Sequence, residues 1–264
     1  MNDNIIMEYL TNNNKYTSPK TKTAWLKGSF PSFFFYKKLF SIIIKASKLA
    51  KKDAYNSEEW INSSLNTIRG MESVGAVFEI NNLSAFKNLD QPAVFIGNHM
   101  STLETFVLPC LIQPYRNVTF VVKDNLVEIP VFKHIMLSRD PIVVGRTNPR
   151  EDFQKVLNGG KERLKNNISI IIFPQTTRYT DLNLNSFNTI GVKLAKRGGV
   201  PVIPFALKTD AWGIGKLNKD FGKIDISKKV HICFDDPLYI KGNGKEEHEY
   251  IIRFIRQKLL EWSK

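Results

Sequence analysis

Apolar residues fall along this chain in two rhythms. Short Val/Ile/Phe-rich runs, each bounded by Gly, Pro, Asn or Asp, predict strands over residues 75–80, 93–96, 118–122, 142–144, 168–173 and 200–207. Between most of them the spacing changes to that of helices, over 102–112, 150–165 and 187–196. Strands alternating with helices predict an α/β fold with a largely parallel, mixed sheet flanked by helices. The pattern over 221–234 is less regular and predicts one or two antiparallel edge strands. After Gly242-Asn243-Gly244, a closing helix is expected over 246–262, with Glu246 and Glu247 early and Lys258 late, as the helix dipole prefers.

Before residue 74 the pattern differs. Residues 1–29 are polar, show no sustained periodicity, and are expected to form a poorly ordered arm with a short helical piece around 5–10. Residues 33–52 plot as a basic amphipathic helix. Lys37, Lys38, Lys45, Lys48, Lys51 and Lys52 fall on one side; Phe35, Tyr36, Leu39, Ile42, Ile43, Ala46, Leu49 and Ala50 fall on the other. Phe40 and Ile44 widen the apolar sector. Such a helix suits a membrane interface, with Phe35, Leu39, Ile42, Ile43 and Leu49 in the head-group boundary and the lysines on anionic lipid. The competing reading packs it on the domain's own core. A second helix begins at Ser57-Glu58-Glu59 and runs to about residue 71. The expected organisation is an arm (1–29), an amphipathic two-helix appendage (30–73) and an α/β domain (74–264). On this reading, deleting residues 1–52 leaves a folded core.

The chemistry concentrates at the turn after the second expected strand. Ala93 to Ile96 is apolar, Gly97-Asn98 breaks the run, and Ser101 with Glu104 reads as a capping box opening a helix. His99 then sits on a strand-to-helix turn, where open α/β sheets bind ligands. Five residues within one helix turn through about 500°, which would separate His99 from Glu104. They meet only if His99 precedes the helix and Glu104 lies in its first turn. There the carboxylate would hold Nδ1–H and leave Nε2 as a base. No G-x-S-x-G elbow supplies a protein nucleophile, so the nucleophile would be a substrate hydroxyl. Backbone N–H groups near the start of the Ser101 helix are candidate donors to a developing oxyanion. Lys123, Arg146 and Arg178 each follow an expected strand, so a parallel sheet carries them to the same edge as His99, where they suit a phosphate.

Composition narrows little. The chain has 264 residues and a formal net charge of +13, which favours anionic partners, although a lysine-rich solvated surface explains it equally. Cys110 and Cys233 lie far apart in apolar contexts and fit neither a disulfide framework nor metal-ligand spacing. Secretion is not expected, because no signal-peptide pattern is present. No apolar stretch reaches the ~18 residues of a spanning helix. His134, His231 and His248 read as ordinary positions. Lys196-Arg197-Gly198-Gly199 reads as a helix end with its Gly cap.

Asn98-His99-x4-Glu104 resembles the N-H-x4-D motif of the glycerolipid acyltransferases, the 1-acyl-glycerol-3-phosphate acyltransferase family. Three further blocks follow in that family's order. Val143-Val144-Gly145-Arg146 resembles the second, whose Arg binds substrate phosphate. Phe173-Pro174-Gln175-Thr176-Thr177-Arg178 resembles the third, usually F-P-E-G-T-R. Val200-Pro201-Val202-Ile203-Pro204 resembles the fourth. The segments at 120–123 and 129–132 are similar to the family's lysine-bearing strand end and I-P-x-F stretch. The likeness covers about residues 75–240.

The resemblance implies catalysis by His99 and Glu104, and substrate binding by Lys123, Arg146, Gln175, Thr176 and Arg178. It implies transfer from acyl-CoA or acyl-ACP to a lysophospholipid, with no metal or further cofactor and no nucleic acid partner. It also implies that the helical pair rests on anionic lipid at the cytoplasmic face as a peripheral enzyme. Three residues depart from the pattern. Glu104 stands for Asp, Gln175 for Glu and Thr176 for Gly. The third-block changes leave open another acceptor, such as a lyso-ornithine lipid, or a basic membrane-binding protein with a decayed site. Retention of His99, an acid at 104 and Arg178 argues against decay.

Overall fold

The structure is a computed structural model. It describes residues 14–19, 25–145, 147–175, 177–180, 182–216 and 218–264. Among these, the apolar runs become β1 (Lys15–Thr17), β2 (Phe78–Asn81), β3 (Val94–Gly97), β4 (Val118–Lys123), β5 (Ile142–Val144), β6 (Ser169–Ile172), β7 (Val202–Lys208) and β8 (Val230–Phe234). They form one sheet in the order β1-β2-β8-β7-β3-β6-β4-β5. The strands β7, β3, β6, β4 and β5 are mutually parallel. Helices cover both faces, so β3 and β6 have every residue buried, and this is why they read as unbroken apolar runs.

The helices are α1 (Trp25–Ser29), α2 (Pro31–Ala50), α3 (Ser57–Ser73), α4 (Leu103–Ile112), α5 (Asp124–Glu128), α6 (Pro130–Leu137), α7 (Pro149–Lys165), α8 (Ile190–Gly198) and α9 (Lys245–Glu261). Their termini carry the expected chemistry. Asn56 Oδ1 accepts the Glu59 N–H at the start of α3, and Asn148 does the same for Arg150 and Glu151 ahead of Pro149. Gly199, at φ 66°, closes α8 as its sequence implied. Period-two alternation divides the core. Phe95, Ile171 and Phe205 face α2, α3 and α4, while Val94, Ile96, Ile170 and Ile172 face α7, α8 and α9.

Three expectations change. The segment 221–234 supplies a strand antiparallel to β7, but it is not at an edge: β8 lies between β7 and β2 and pairs with β2 in parallel. Part of the expected arm is ordered structure. Tyr16 is buried in β1, its hydroxyl donates to Glu72 Oε1 at 2.6 Å, and Ser18 Oγ donates to the same oxygen at 2.5 Å. Burial pushes the Glu72 carboxyl above its ordinary value despite those two bonds. The helical piece expected around 5–10 lies outside the described residues.

The third change concerns α2. Phe35, Leu39, Ile43, Ala46 and Ala50 are buried in the same core cluster as the sheet, with Phe35 edge-on to Trp212 at 5.0 Å. Phe35, Leu39 and Ile43 therefore cannot enter a head-group boundary. At about 100° per residue, the side opposite this stripe carries Phe33, Phe40 and Ile44 among the lysines, and these three are 66%, 46% and 51% exposed. The two N-terminal helices are built into the domain by one face of α2, and the helix shows solvent the other. Among the described residues, no helix is long and apolar enough to cross a membrane.

Candidate active site

Strand β3 ends at Gly97, where the chain must pass under the Phe205 ring: a Cβ there would lie 2.2 Å from it. Asn98 then acts as a side-chain rung. Its Nδ2 donates to Leu207 O and its Oδ1 accepts the Leu207 N–H, both at 2.8 Å, tying the turn to β7 beyond the last backbone pair. His99 follows in the turn and Glu104 in the first turn of α4, as the spacing required. Glu104 Oε1 lies 2.9 Å from His99 Nδ1. A carboxylate can only accept, so Nδ1 carries the hydrogen and Nε2 the lone pair. The imidazole stacks on Phe173, with centroids 4.4 Å apart.

Glu104 is fully buried, and every lone pair direction is used. Oε1 also accepts the N–H groups of Met100 at 2.7 Å and Ser101 at 2.9 Å. Oε2 accepts Thr209 Oγ1 at 2.6 Å and lies 2.8 Å from Ser101 Oγ. Burial alone would raise this carboxyl. The His99 contact, the Thr209 hydroxyl and the Ser101 N–H outweigh it and hold Glu104 below the ordinary value of 4.5. Its contribution to stability is therefore complete above that value and is lost as pH falls through the folded one. The capping box is half realised: Glu104 receives the Ser101 N–H, but Ser101 Oγ turns to the N–H of Leu103.

These bonds narrow the expected oxyanion site. The N–H groups of Met100 and Ser101 are committed to Glu104, that of Leu103 to Ser101 Oγ, and that of His99 to Gln175 Oε1 at 2.8 Å. The reading of Gln175 changes. It is 1% exposed and holds the His99 main chain instead of presenting itself to an acceptor hydroxyl. Its Nε2 is buried without a hydrogen-bond partner among the described residues.

Of the expected phosphate ligands, Arg178 is beside the dyad helix. Its guanidinium bonds Thr102 Oγ1, just before α4, and pairs with Asp220 Oδ1 at 2.7 Å. Lys123 ends β4, two strands from β3, which is about 10 Å across the sheet, and it joins neither network among the described residues. Arg146 and Thr176 lie outside the described residues. Sequence reading missed Thr209, Thr102 and Asp220, none of which carries a local signal. Phe173 and Asn98 stood inside the quoted motifs without an assigned task.

A buried carboxylate holds a histidine at the carboxyl edge of a mostly parallel sheet, with an arginine alongside, an arrangement suited to base catalysis on an α/β fold. The acyltransferase family profile matches residues 70–208, more than half of the chain. The chain belongs to this family, the glycerolipid acyltransferases that its motifs resemble. It is 32% identical over 117 residues to a 1-acyl-sn-glycerol-3-phosphate acyltransferase of Pseudomonas aeruginosa, covering 44% of each chain. It is 31% identical over 174 residues to the chloroplastic LPAT1 of Arabidopsis thaliana, itself named a 1-acyl-sn-glycerol-3-phosphate acyltransferase, covering 62% of this chain and 47% of that one. The matches thus span less than half the length of either relative. The crystal structure of the 1-acyl-sn-glycerophosphate acyltransferase PlsC from Thermotoga maritima shares the fold. Its TM-score is 0.66 at 18% identity, over 89% of this chain and 97% of that one.

Proposed function

We propose that this chain is a membrane-peripheral O-acyltransferase. It moves an acyl chain from acyl-CoA or acyl-ACP to the hydroxyl of a lysophospholipid, with 1-acyl-glycerol-3-phosphate as the acceptor. The observation that carries the reading is the His99–Glu104 pair, whose geometry leaves Nε2 as the proton acceptor. The acceptor hydroxyl gives its proton to Nε2 as its oxygen attacks the thioester carbonyl carbon. The tetrahedral oxyanion collapses, the C–S bond breaks, and the leaving thiolate takes the proton from the imidazolium. Glu104 stabilises that imidazolium and fixes the ring. The names of the relatives support a phosphate-bearing acceptor, as does Arg178 next to α4. The fully bonded Glu104 argues for a working base rather than a decayed one. Because Gln175 serves the His99 main chain, the third-block change does not by itself favour another acceptor.

An acceptor panel with purified protein and labelled donor tests this reading, with lysophosphatidate, lyso-ornithine lipid and monoacylglycerol as acceptors. Lysophosphatidate should be acylated best. Arg178→Ala should raise its KM roughly ten- to hundredfold, the worth of a charge-assisted contact, with little change in donor KM. Preference for an uncharged headgroup, or equal effects on both KM values, would reject the acceptor assignment.

The membrane contact is reassigned to the outward side of α2. Phe33, Phe40 and Ile44 are the apolar anchors, with Lys37, Lys48 and Lys51 among them meeting anionic lipid at about 1 kcal/mol each. Replacing the three apolar residues with serine should weaken co-sedimentation with phosphatidylglycerol-containing vesicles on the order of tenfold or more. Melting temperature should fall only modestly: Phe33 and Ile44 are more than half exposed, while Phe40 also meets the Tyr36 and Phe221 rings at 6.4 and 5.6 Å. Unchanged sedimentation would remove this face from membrane contact.

A further inference from the structure

We infer that Asp220 is a specificity-determining residue: its carboxylate is the resident counter-ion of Arg178, and an acceptor headgroup must displace it to reach the guanidinium. The inference rests on the proposed use of Arg178 as an acceptor phosphate ligand. Among the described residues, Arg178 has two fixed contacts. One edge bonds Thr102 Oγ1, which anchors the guanidinium beside the turn that holds His99. The other pairs with Asp220 Oδ1 at 2.7 Å, and Thr102 Oγ1 lies 3.5 Å from the same oxygen. An anion approaching Arg178 from solvent meets the Asp220 side, because Asp220 is the more open partner: its side chain is 43% exposed against 17% for Arg178.

The loop around Asp220 is built so that the side chain can leave while the main chain stays. Trp212 Nε1 donates to the Asp220 carbonyl at 3.0 Å, and the Asp220 N–H bonds Asn218 Oδ1 at 2.9 Å. Two residues on, Tyr36 Oη donates to the Gly222 carbonyl and Ser32 Oγ accepts the Ile224 N–H. None of these bonds involves the Asp220 carboxylate, whose partners among the described residues are Arg178 and Thr102. A rotation of one side chain is therefore enough to open the arginine.

The consequence is selective. A phosphate monoester carries more charge and three acceptor oxygens, and it replaces a single carboxylate on a guanidinium fork favourably. A neutral headgroup offers nothing to exchange and leaves the pair closed. Asp220 thus sets a threshold of negative charge for the acceptor, at the cost of some affinity for the anions that pass it.

The test uses the full chain and sn-glycerol 3-phosphate as a soluble headgroup probe, with binding followed by NMR titration, alongside acceptor KM. Asp220→Asn keeps the side-chain shape and every main-chain bond of the loop. It should lower both the probe's dissociation constant and the lysophosphatidate KM about two- to fivefold, the range expected for removing a partly exposed competing pair. Donor KM should not move, and Asp220→Glu should return both values toward wild type. If Asp220 merely holds Arg178 in place, Asp220→Asn raises the KM instead, and the inference falls while the acceptor assignment stands. Wild-type binding of the probe with no tightening in Asp220→Asn also overturns it. If neither protein binds the probe, Arg178 is no phosphate site, and the inference falls together with the acceptor assignment.

Discussion

His99→Ala is expected to lower kcat on the order of 10²–10⁴, the usual contribution of a positioned general base, while the protein melts near its normal temperature. The structure explains why the two readouts separate. Removing the imidazole takes one donor from Glu104, but the carboxylate keeps the Met100 and Ser101 N–H groups and the Thr209 hydroxyl, so no buried charge is left bare. The ring's stacking on Phe173 is lost, a modest term at a partly open position. Turnover within a few-fold of wild type, in a protein of normal stability, would take His99 out of the mechanism. Glu104→Gln in the same assay tests the charge. The amide oxygen can stand where Oε1 accepts the His99 Nδ1–H and the Met100 and Ser101 N–H groups, with the amide nitrogen donating to the Thr209 and Ser101 hydroxyls. This variant should therefore keep most of its stability and lose activity, because a neutral amide cannot stabilise the imidazolium as a carboxylate does.

Deleting residues 1–52 is expected to abolish cooperative folding. That segment includes Tyr16, Phe35, Leu39, Ile43, Ala46 and Ala50, all buried in the cluster that faces the sheet. Truncating one large core side chain costs about 2–5 kcal/mol, against a total stability of about 5–15 kcal/mol for a domain. Losing three large apolar side chains, Tyr16 and the strand β1 exceeds that margin and exposes apolar surface on α3, α6 and Trp212. Circular dichroism should show no cooperative thermal transition, and the truncated chain should be found mostly in the insoluble fraction. A soluble fragment with a sharp melt would show that the N-terminal helices are an appendage after all.

The strands β3 and β6 were legible because strands buried on both faces are written as uninterrupted apolar runs, and Ile142–Val144 came out to the residue. The His99–Glu104 contact was legible because a capping pattern and helical pitch together allow only one arrangement. The outward face of α2 was not. Its apolar sector is wide enough for two orientations, and a helical wheel carries no information about which half meets the sheet. Phe35 and Phe40 look alike in sequence, but only Phe35 has Trp212 behind it in the core. The Gln175 contact was not legible for a related reason. Its side chain turns in to the main chain of a residue 76 positions away, and no local pattern encodes that contact. Thr209 and Asp220 come from the chain after β7, where loop geometry alone delivers them to Glu104 and Arg178.

The place of β8 in the sheet fixes an order of assembly. Among the described residues, the strands β1 and β2 join the rest of the sheet only through residues 230–234. A chain growing from its N-terminus has already made β3, β4, β5, β6 and β7 before that joining strand exists. The parallel part of the sheet, with the His99 turn, can therefore collapse early, while the β1–β2 pair stays unjoined to it until almost all of the chain has been made. Contacts of such long sequence separation form slowly. During synthesis the β2 edge that awaits β8 is the sheet edge exposed longest, and it is where a stalled or incomplete chain would aggregate or meet a chaperone.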